Sequence, residues 1–217
     1  MKSRLSAALA GLARPRRRPR DRSRRRLLLR VVTVRPGASR AALVVAGRHF
    51  PCALGRNGTR QRKCEGDGRT PAGTFPLRAL LYRPDRVRRP AGRLPAVPLA
   101  PGDGWCDAAG ARAYNRPVSR PSPERNETLW RDDGLYDLVV VIGHNDMPVI
   151  PGAGSAIFLH VATPDLGPTE GCIALRRPDI ARIVGRLGPG TRIAVGTNGA
   201  QRSRNASWRT RTIGFRR

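Results

Sequence analysis

The apolar residues of this chain lie in short runs separated by Gly, Pro and polar residues, and this spacing most constrains its fold. The run Leu138–Ile142 contains only leucine, valine and isoleucine, which is typical of a buried strand. Further strands are predicted at 29–34, 41–46, 49–54, 73–81, 156–159, directly after Cys172 and at 191–195. About eight short strands predict a mostly β domain, either a sandwich or a partly open barrel.

One helix is predicted downstream of Cys172. Four apolar residues there follow i, i+3, i+4, i+7 spacing, which places them on one helix face: Ile180, Ile183, Val184 and Leu187. We expect this helix to end at 188–190, where Gly, Pro and Gly follow one another.

The two ends of the chain are more basic than its middle. The 217 residues carry a net charge of +27, of which +11 lies in residues 1–30 and +6 in residues 201–217. We therefore predict a basic, disordered arm at 1–28, one domain at 29–197 and a basic tail at 198–217. Such tails can bind any polyanion, including nucleic acid, anionic lipid or an acidic wall polymer. The moderately basic middle indicates no dedicated nucleic-acid site.

Four kinds of site or segment find no support in the sequence. No run approaches the roughly 18 apolar residues of a membrane-spanning helix, and no clear signal peptide is recognisable. Cys52, Cys64, Cys106 and Cys172 include no C-x-x-C pair, which argues against a zinc site. The loop 55–70 contains glycine, but no Gly-Lys-Ser/Thr follows, so it is not a phosphate-binding P-loop.

The segment 157–175 brings a histidine and a cysteine to the two sides of a loop. The apolar run that ends at Leu159 leads into His160, and a loop with Pro and Gly precedes Gly171 and Cys172. A thiol is only slightly ionised at neutral pH, and a nearby imidazole can accept its proton. Gly171 permits a sharp turn that leaves amide N–H groups to hold an oxyanion. The pattern predicts a cysteine nucleophile with its base; the alternative is a buried apolar cysteine and a structural histidine.

The sequence Thr-Glu-Gly-Cys at 169–172, with His160 upstream, resembles the active-site signature of the L,D-transpeptidases, which have a YkuD-type domain. Another stretch, Thr-Pro-x-Gly-x-Phe at 70–75, is similar to a recurrent element of the same family. The resemblance extends over residues 30–196, most of the chain.

The resemblance implies a β-rich, monomeric enzyme of the cell envelope or periplasm that acts on peptidoglycan stem peptides without metal or cofactor. It implies that the Cys172 thiolate attacks the carbonyl of the third stem residue and that His160 takes the thiol proton. The amides of Gly171 and Cys172 would then hold the oxyanion. The terminal D-alanine leaves, and an amine of a second stem resolves the thioester. If water replaces that amine, the enzyme is an L,D-carboxypeptidase.

A function of another class stays open beside this one. The chain can be a non-catalytic, basic module that binds nucleic acid or wall polymer through its arms. That hypothesis predicts a dispensable Cys172, whereas a catalytic Cys172 is expected to react with alkylating agents before the other three cysteines.

Two residues of the active-site segment depart from the family pattern. Glu170 and Ala174 stand where basic residues are common, and Glu170 raises a neighbouring thiol pKa unless a cation compensates. Arg176 shares the strand parity of Cys172 and Ala174. It is our candidate for charge balance and for binding a substrate carboxylate, with a solvated arginine at the helix entrance as the alternative.

Further substrate contacts are predicted from polar residues next to the expected strands. His144 and Asn145 follow the strand Leu138–Ile142, and Thr169 belongs to the active-site signature. For His144 and Asn145 a structural turn is the alternative. The irregular segment 84–124 is long enough to be a lid or a groove wall, or else a surface insertion.

Overall fold

Strands dominate the part of the chain that the structure describes. The computed structural model describes residues 4–13, 27–33, 35 and 37–196, and these form two helices and fourteen strands. In chain order they are α1 (Arg4–Ala13), β1 (Leu28–Thr33), β2 (Arg40–Val45), β3 (Arg48–Ala53), β4 (Thr59–Arg60), β5 (Thr70–Pro71), β6 (Gly73–Tyr82), β7 (Ala96–Pro98), β8 (Asp103–Cys106), β9 (Pro117–Ser119), β10 (Asn126–Thr128), β11 (Leu138–Ile142), β12 (Phe158–Val161), β13 (Ile173–Leu175), α2 (Arg177–Val184) and β14 (Arg192–Val195).

Eight of the described strands close into a barrel because the long strand β6 has two partners. Residues 73–76 of β6 pair with β14, and residues between 77 and 82 pair with β11. The strand order is β11-β12-β13-β3-β2-β1-β14-β6, after which β6 returns to β11. The short strand β7 adds in parallel to β6, outside this ring. The predicted mostly β class is confirmed, and the sheet is a closed barrel rather than a sandwich.

Apolar side chains pack on both faces of the strands that carry the site. Leu159 and Val161 of β12 belong to the core inside the barrel. Phe158 of the same strand belongs to a second core outside it, together with Trp105 and Leu129 of the segment that covers this face. All five residues of β11 are buried, because that strand is covered on both sides. This explains why its sequence is uniformly apolar rather than alternating.

The predicted helix forms as α2, with Ile180, Ile183 and Val184 buried against the barrel core. It ends at Val184 with Gly185 as the C-cap, which is earlier than the predicted Gly-Pro-Gly turn. Leu187 continues the buried face beyond the helix end.

The N-terminal segment differs in part from the disordered arm that composition predicts. Residues 4–13 form α1, whose Leu5 is only 1% exposed and packs into the second core beside Leu9. Burial of these leucines on the outer barrel face outweighs the polar character of the surrounding sequence. The rest of the predicted arm up to residue 26 and the predicted tail at 198–217 lie outside the described residues. Neither described helix is long and apolar enough to cross a membrane.

Candidate active site

Two adjacent parallel strands bring Cys172 and His160 to one face of the sheet. The register pairs Leu159 with Ile173 and His160 with Ala174. Because side chains alternate along a strand, Cys172 and Ala174 share a face with His160. Cys172, Ala174 and His160 all line one cavity of about 480 Å³. The parallel pairing of β12 and β13 therefore brings the predicted nucleophile and base to one cavity, although a loop separates them in the sequence.

The cavity is walled by segments that are distant in sequence. One wall is the turn 167–171 that leads to Cys172, and another is the loop 63–66. The opposite wall comes from the segment around the small sheet β10-β8-β9 and the residues before β11. It contributes Asp107, Arg125, Glu127, Arg131, Leu135 and Tyr136. Of these residues only Asp107 belongs to the irregular segment 84–124, which thus supplies part of the wall of this cavity.

His160 is held as a neutral imidazole with one nitrogen available as a base. Its Nδ1 lies 2.8 Å from the carbonyl oxygen of Val161. A carbonyl only accepts, so Nδ1 carries the proton and Nε2 keeps its lone pair. Burial lowers the pKa of His160 to about 4, against a smaller upward effect of the Val161 hydrogen bond. The base is therefore unprotonated at neutral pH.

Cys172 is a protonated, buried thiol in this structure. Burial raises its pKa well above the usual range, and the carboxylate of Glu127 raises it further. The amide of Phe158 and the ammonium of Lys63 act in the opposite direction. Sγ donates to the carbonyl oxygen of Ala156 at 3.2 Å and accepts from the amide of Phe158 at 3.3 Å. No hydrogen bond joins Cys172 to His160 among the described residues, so the thiol must turn to reach that base.

The turn before Cys172 requires glycine. Gly171 has φ +143°, and a Cβ there would lie 2.9 Å from the carbonyl oxygen of Arg69. Its amide donates to Oγ1 of Thr169 at 3.2 Å, and that hydroxyl donates to the carbonyl oxygen of Cys172 at 2.7 Å. The Gly171 amide that the sequence assigns to an oxyanion hole is thus engaged by Thr169. Thr169 lines the cavity and braces the turn.

A comparison with family models identifies the domain. The model of the L,D-transpeptidase catalytic domain, YkuD, matches residues 30–195. The chain belongs to this family. Members of the family act on peptidoglycan in the cell envelope.

Two solved structures are similar to this L,D-transpeptidase domain. One is an L,D-transpeptidase from Mycobacterium smegmatis, at 15% identity and a TM-score of 0.38, covering 79% of this chain and 58% of that one. The other is L,D-transpeptidase 1 of Mycobacterium tuberculosis, at 14% identity and a TM-score of 0.35, covering 78% and 61%. The chain therefore spans about three-fifths of the length of each. None of the curated proteins compared matches it.

The structure does not bring His144 and Asn145 into the cavity of this L,D-transpeptidase domain. β11 is antiparallel to β12 and pairs Val139 with His160, so the loop after β11 leaves at the opposite end from His160. His144 contacts the carbonyl oxygen of Ala153 and lines another cavity. The side chain of Asn145 bonds the backbone of the same loop at Ile150 and Gly154. Both residues shape a structural turn, so their predicted substrate contacts gain no support.

Arg176 also lies outside the cavity. β13 ends at Leu175, so the strand parity on which its prediction rests does not extend to it. Arg176 is the exposed N-cap residue of α2. This agrees with the alternative interpretation, a solvated arginine at the helix entrance. The cation beside Glu170 is Arg56, which forms an ion pair with it. The loop that contains Arg56 is anchored to the active-site turn, since its amide donates to the carbonyl oxygen of Thr169 at 2.8 Å.

Among the cavity residues that were not predicted from the sequence, Lys63, Glu127 and Tyr136 act on the candidate catalytic residues. Glu127 accepts a hydrogen bond from the hydroxyl of Tyr136, and burial raises the pKa of its carboxyl group. For Lys63 a signal was present, because it and Lys2 are the only lysines among 42 basic residues. Nothing in the sequence marks the other two. No group of three or more His, Cys, Asp or Glu residues converges as a metal site within the described ranges.

Proposed function

We propose that the chain is a cysteine-dependent L,D-transpeptidase that acts on peptidoglycan stem peptides through a thioester. The supporting observation is the placement of Cys172 and His160 on one sheet face, where the neutral base lines the same cavity as the thiol. Family membership supports the general class of substrate.

The reaction that this arrangement supports has two acyl-transfer steps. Nε2 of His160 accepts the thiol proton, and Sγ of Cys172 bonds to the carbonyl carbon of the third stem residue. The C–N bond to the terminal D-alanine then breaks, and His160 returns its proton to the leaving amine. In the second step an amine of another stem attacks the thioester carbonyl, and His160 takes a proton from that amine. The C–S bond then breaks, and His160 gives this proton to Sγ, which restores the thiol.

The first step requires a rearrangement at the thiol. The Sγ–H that now donates to Ala156 must turn toward Nε2 of His160. Substrate binding can promote this, because catalytic hydrogen bonds often tighten only in the complex with substrate. For the oxyanion we propose the amides of Gly171 and Cys172. The Gly171 amide would exchange its 3.2 Å bond with Thr169 for the stronger acceptor.

The test is mass spectrometry of the protein after incubation with a carbapenem, an acylating analogue of the stem. We expect one covalent adduct, mapped by peptide sequencing to Cys172 and lost in Cys172→Ala. Cys64 is exposed, so Cys64→Ser serves as the matched control and should keep the adduct. An adduct at Cys64 alone, or none at all, contradicts the proposal.

Product analysis separates transpeptidation from its alternatives. With a donor stem tetrapeptide and an acceptor amine, a transpeptidase releases D-alanine and forms a crosslinked dimer. A carboxypeptidase releases D-alanine and leaves a tripeptide. A basic binding module does neither, and its ligand affinity is unchanged in Cys172→Ala.

The wider setting of the enzyme is proposed on the same basis. We propose that it works as a monomer in the cell envelope, without metal or cofactor, as one domain within residues 29–197. The basic ends at 1–28 and 198–217 would bring it to an anionic wall polymer through charge attraction.

A further inference from the structure

A buried lysine passes between two glycines directly behind the turn that carries Cys172. The side chain of Lys63 is 3% exposed. A Cβ on Gly154 would lie 2.8 Å from Cε of Lys63, and a Cβ on Gly171 would lie 3.4 Å from its Nζ. Both glycines have positive φ, at +95° and +143°. The backbone thus leaves a narrow slot, and the slot holds the aliphatic stem and places the ammonium against Gly171.

The ammonium is only partly neutralised by its surroundings. It donates to Oδ1 of Asp67 at 2.7 Å and to the carbonyl oxygen of Cys64 at 3.3 Å. An ammonium has three protons, and the third has no acceptor among the described residues. Lys63 lines the cavity with Cys172, whereas Asp67 does not. The positive end of the pair therefore faces the reacting turn, and the negative end lies away from the cavity.

A lysine suits this position better than the arginines that make up nearly all other basic residues of the chain. The ammonium is a compact point charge on a narrow stem, whereas a guanidinium is a wide planar fork. The backbone of Gly154 lies against the Lys63 stem, where a Cβ would approach Cε, Cδ and Cγ to within 3.0 Å. A buried charge is costly unless it is paired and hydrogen-bonded, and Asp67 supplies the pairing. Lys63 is the one lysine of the described residues, and it lies where a narrow side chain with a compact charge is favoured.

We infer that Lys63 is a positioning residue that stabilises, through its charge, the anion formed at Cys172 when the thiol loses its proton. The inference rests on the proposed function and extends it, because it names the cation that offsets Glu127 at this site, whereas Glu170 is paired with Arg56. No proton passes between Lys63 and Cys172. His160 remains the base, and the ammonium makes the thiolate less costly to form in a buried cavity. Removal of the charge should make the thiolate harder to form, and removal of the counter-charge at Asp67 should make it easier.

The experiment measures the alkylation rate of Cys172 at a fixed, mildly alkaline pH in a Cys64→Ser background, with iodoacetamide as the probe and peptide mass spectrometry to follow Cys172. This rate needs no stem peptide and so is independent of transpeptidase activity. We expect Lys63→Met to lower the rate about tenfold, which corresponds to a rise of about one unit in the thiol pKa. Asp67→Asn should raise the rate. Arg62→Met removes a charge from the adjacent exposed residue and should leave the rate unchanged.

Folding is checked by circular dichroism, because Lys63→Met leaves Asp67 without its partner. Should that variant be unfolded, Lys63→Met with Asp67→Asn removes the pair together and keeps the test open. Asp67→Asn alone tests the direction of the charge effect independently, because its effect on the reactivity of Cys172 should be opposite to that of Lys63→Met. An unchanged rate in folded Lys63→Met, a double variant that reacts no more slowly than Asp67→Asn, or a lower rate in Asp67→Asn would overturn the inference.

Discussion

The ring of Tyr136 stands edge-on to the imidazole of His160, with centroids 5.2 Å apart and an interplanar angle of 75°. The hydroxyl of Tyr136 donates to Glu127, and the guanidinium of Arg131 lies 5.2 Å from the centroid of the Tyr136 ring. This arrangement buries His160 beneath an aromatic ring and beside a cation. Both surroundings disfavour the imidazolium, which is why the histidine is neutral at pH 7.

The low pKa of His160 predicts an acidic limb of activity at an unusually low pH. If the neutral imidazole is the base, as we propose, kcat/KM should stay level as pH falls from 7 to about 5 and decline only near the pKa of about 4. His160→Gln should lower kcat/KM by about 10²–10⁴-fold. His144→Gln is the matched control and should keep both rate and limb. Loss of the acidic limb in His144→Gln but not in His160→Gln would mean that His144, and not His160, is the base.

The same pKa predicts a loss of stability in weak acid. In the unfolded chain His160 has its ordinary pKa of 6.5, whereas in the fold the value is about 4. Between these two pKa values His160 is protonated in the unfolded chain but not in the folded chain. The free energy of unfolding therefore falls as pH decreases. The loss is on the order of 3 kcal/mol and levels off below the folded pKa.

Urea unfolding at several pH values, in wild type and His160→Gln, measures this term. Carboxylates contribute to both proteins alike, so the difference between the two curves isolates the histidine. Parallel curves between pH 6.5 and 4 would contradict the burial of a neutral His160.

Replacement of Cys172 should abolish acyl transfer and spare the fold. Cys172→Ala leaves no nucleophile, and the Ser hydroxyl of Cys172→Ser has a far higher pKa than a thiol. Release of D-alanine from a stem tetrapeptide should fall to background in both variants. Their circular dichroism spectra should match wild type. Turnover at the wild-type rate by Cys172→Ala would exclude the thioester route.

Gly171→Ala should both destabilise the domain and inactivate it. The substitution forces a non-glycine residue to φ +143° and places its Cβ 2.9 Å from a backbone oxygen. Backbone strain of this kind typically costs about 1–3 kcal/mol, and the clash adds to it. Gly152→Ala is the control, since Gly152 has φ +75° and open space around its Cβ position. Equal losses of stability in the two variants would mean that the clash with Arg69 has no effect.

The order of thiol reactivity differs from the order that the sequence suggests. Cys64 is the exposed cysteine among the described residues, whereas Cys52, Cys106 and Cys172 are buried. Burial raises the pKa of Cys52 to about 12 and also raises those of Cys106 and Cys172. With Ellman's reagent at pH 7 we expect one fast thiol, which disappears in Cys64→Ser. A fast thiol that survives this change and disappears in Cys172→Ala would instead indicate an activated nucleophile in the resting enzyme.

Patterns within single segments were sufficient to predict much of the fold. The uniformly apolar Leu138–Ile142 forms the doubly buried β11, and the spacing of Ile180, Ile183 and Val184 gives the buried face of α2. These features depend on local periodicity, which is a property of the sequence itself. Cys172 and His160 were recognisable as candidates within one segment, but the parallel pairing of β12 and β13 that places them on one face was not predicted.

The other features depend on contacts between distant segments, which local patterns do not encode. The sequence by itself determined the β class and α2, and it identified Cys172 and His160 as the candidate site residues. Only the tertiary structure decided that β6 closes the barrel and that Arg56 rather than Arg176 meets Glu170. Only the tertiary structure shows that His144 lines another cavity and that Lys63 lies behind Gly171. The physical reason is that strand direction and the point where a strand ends fix where a side chain lies, and both are set by partners far away in the chain.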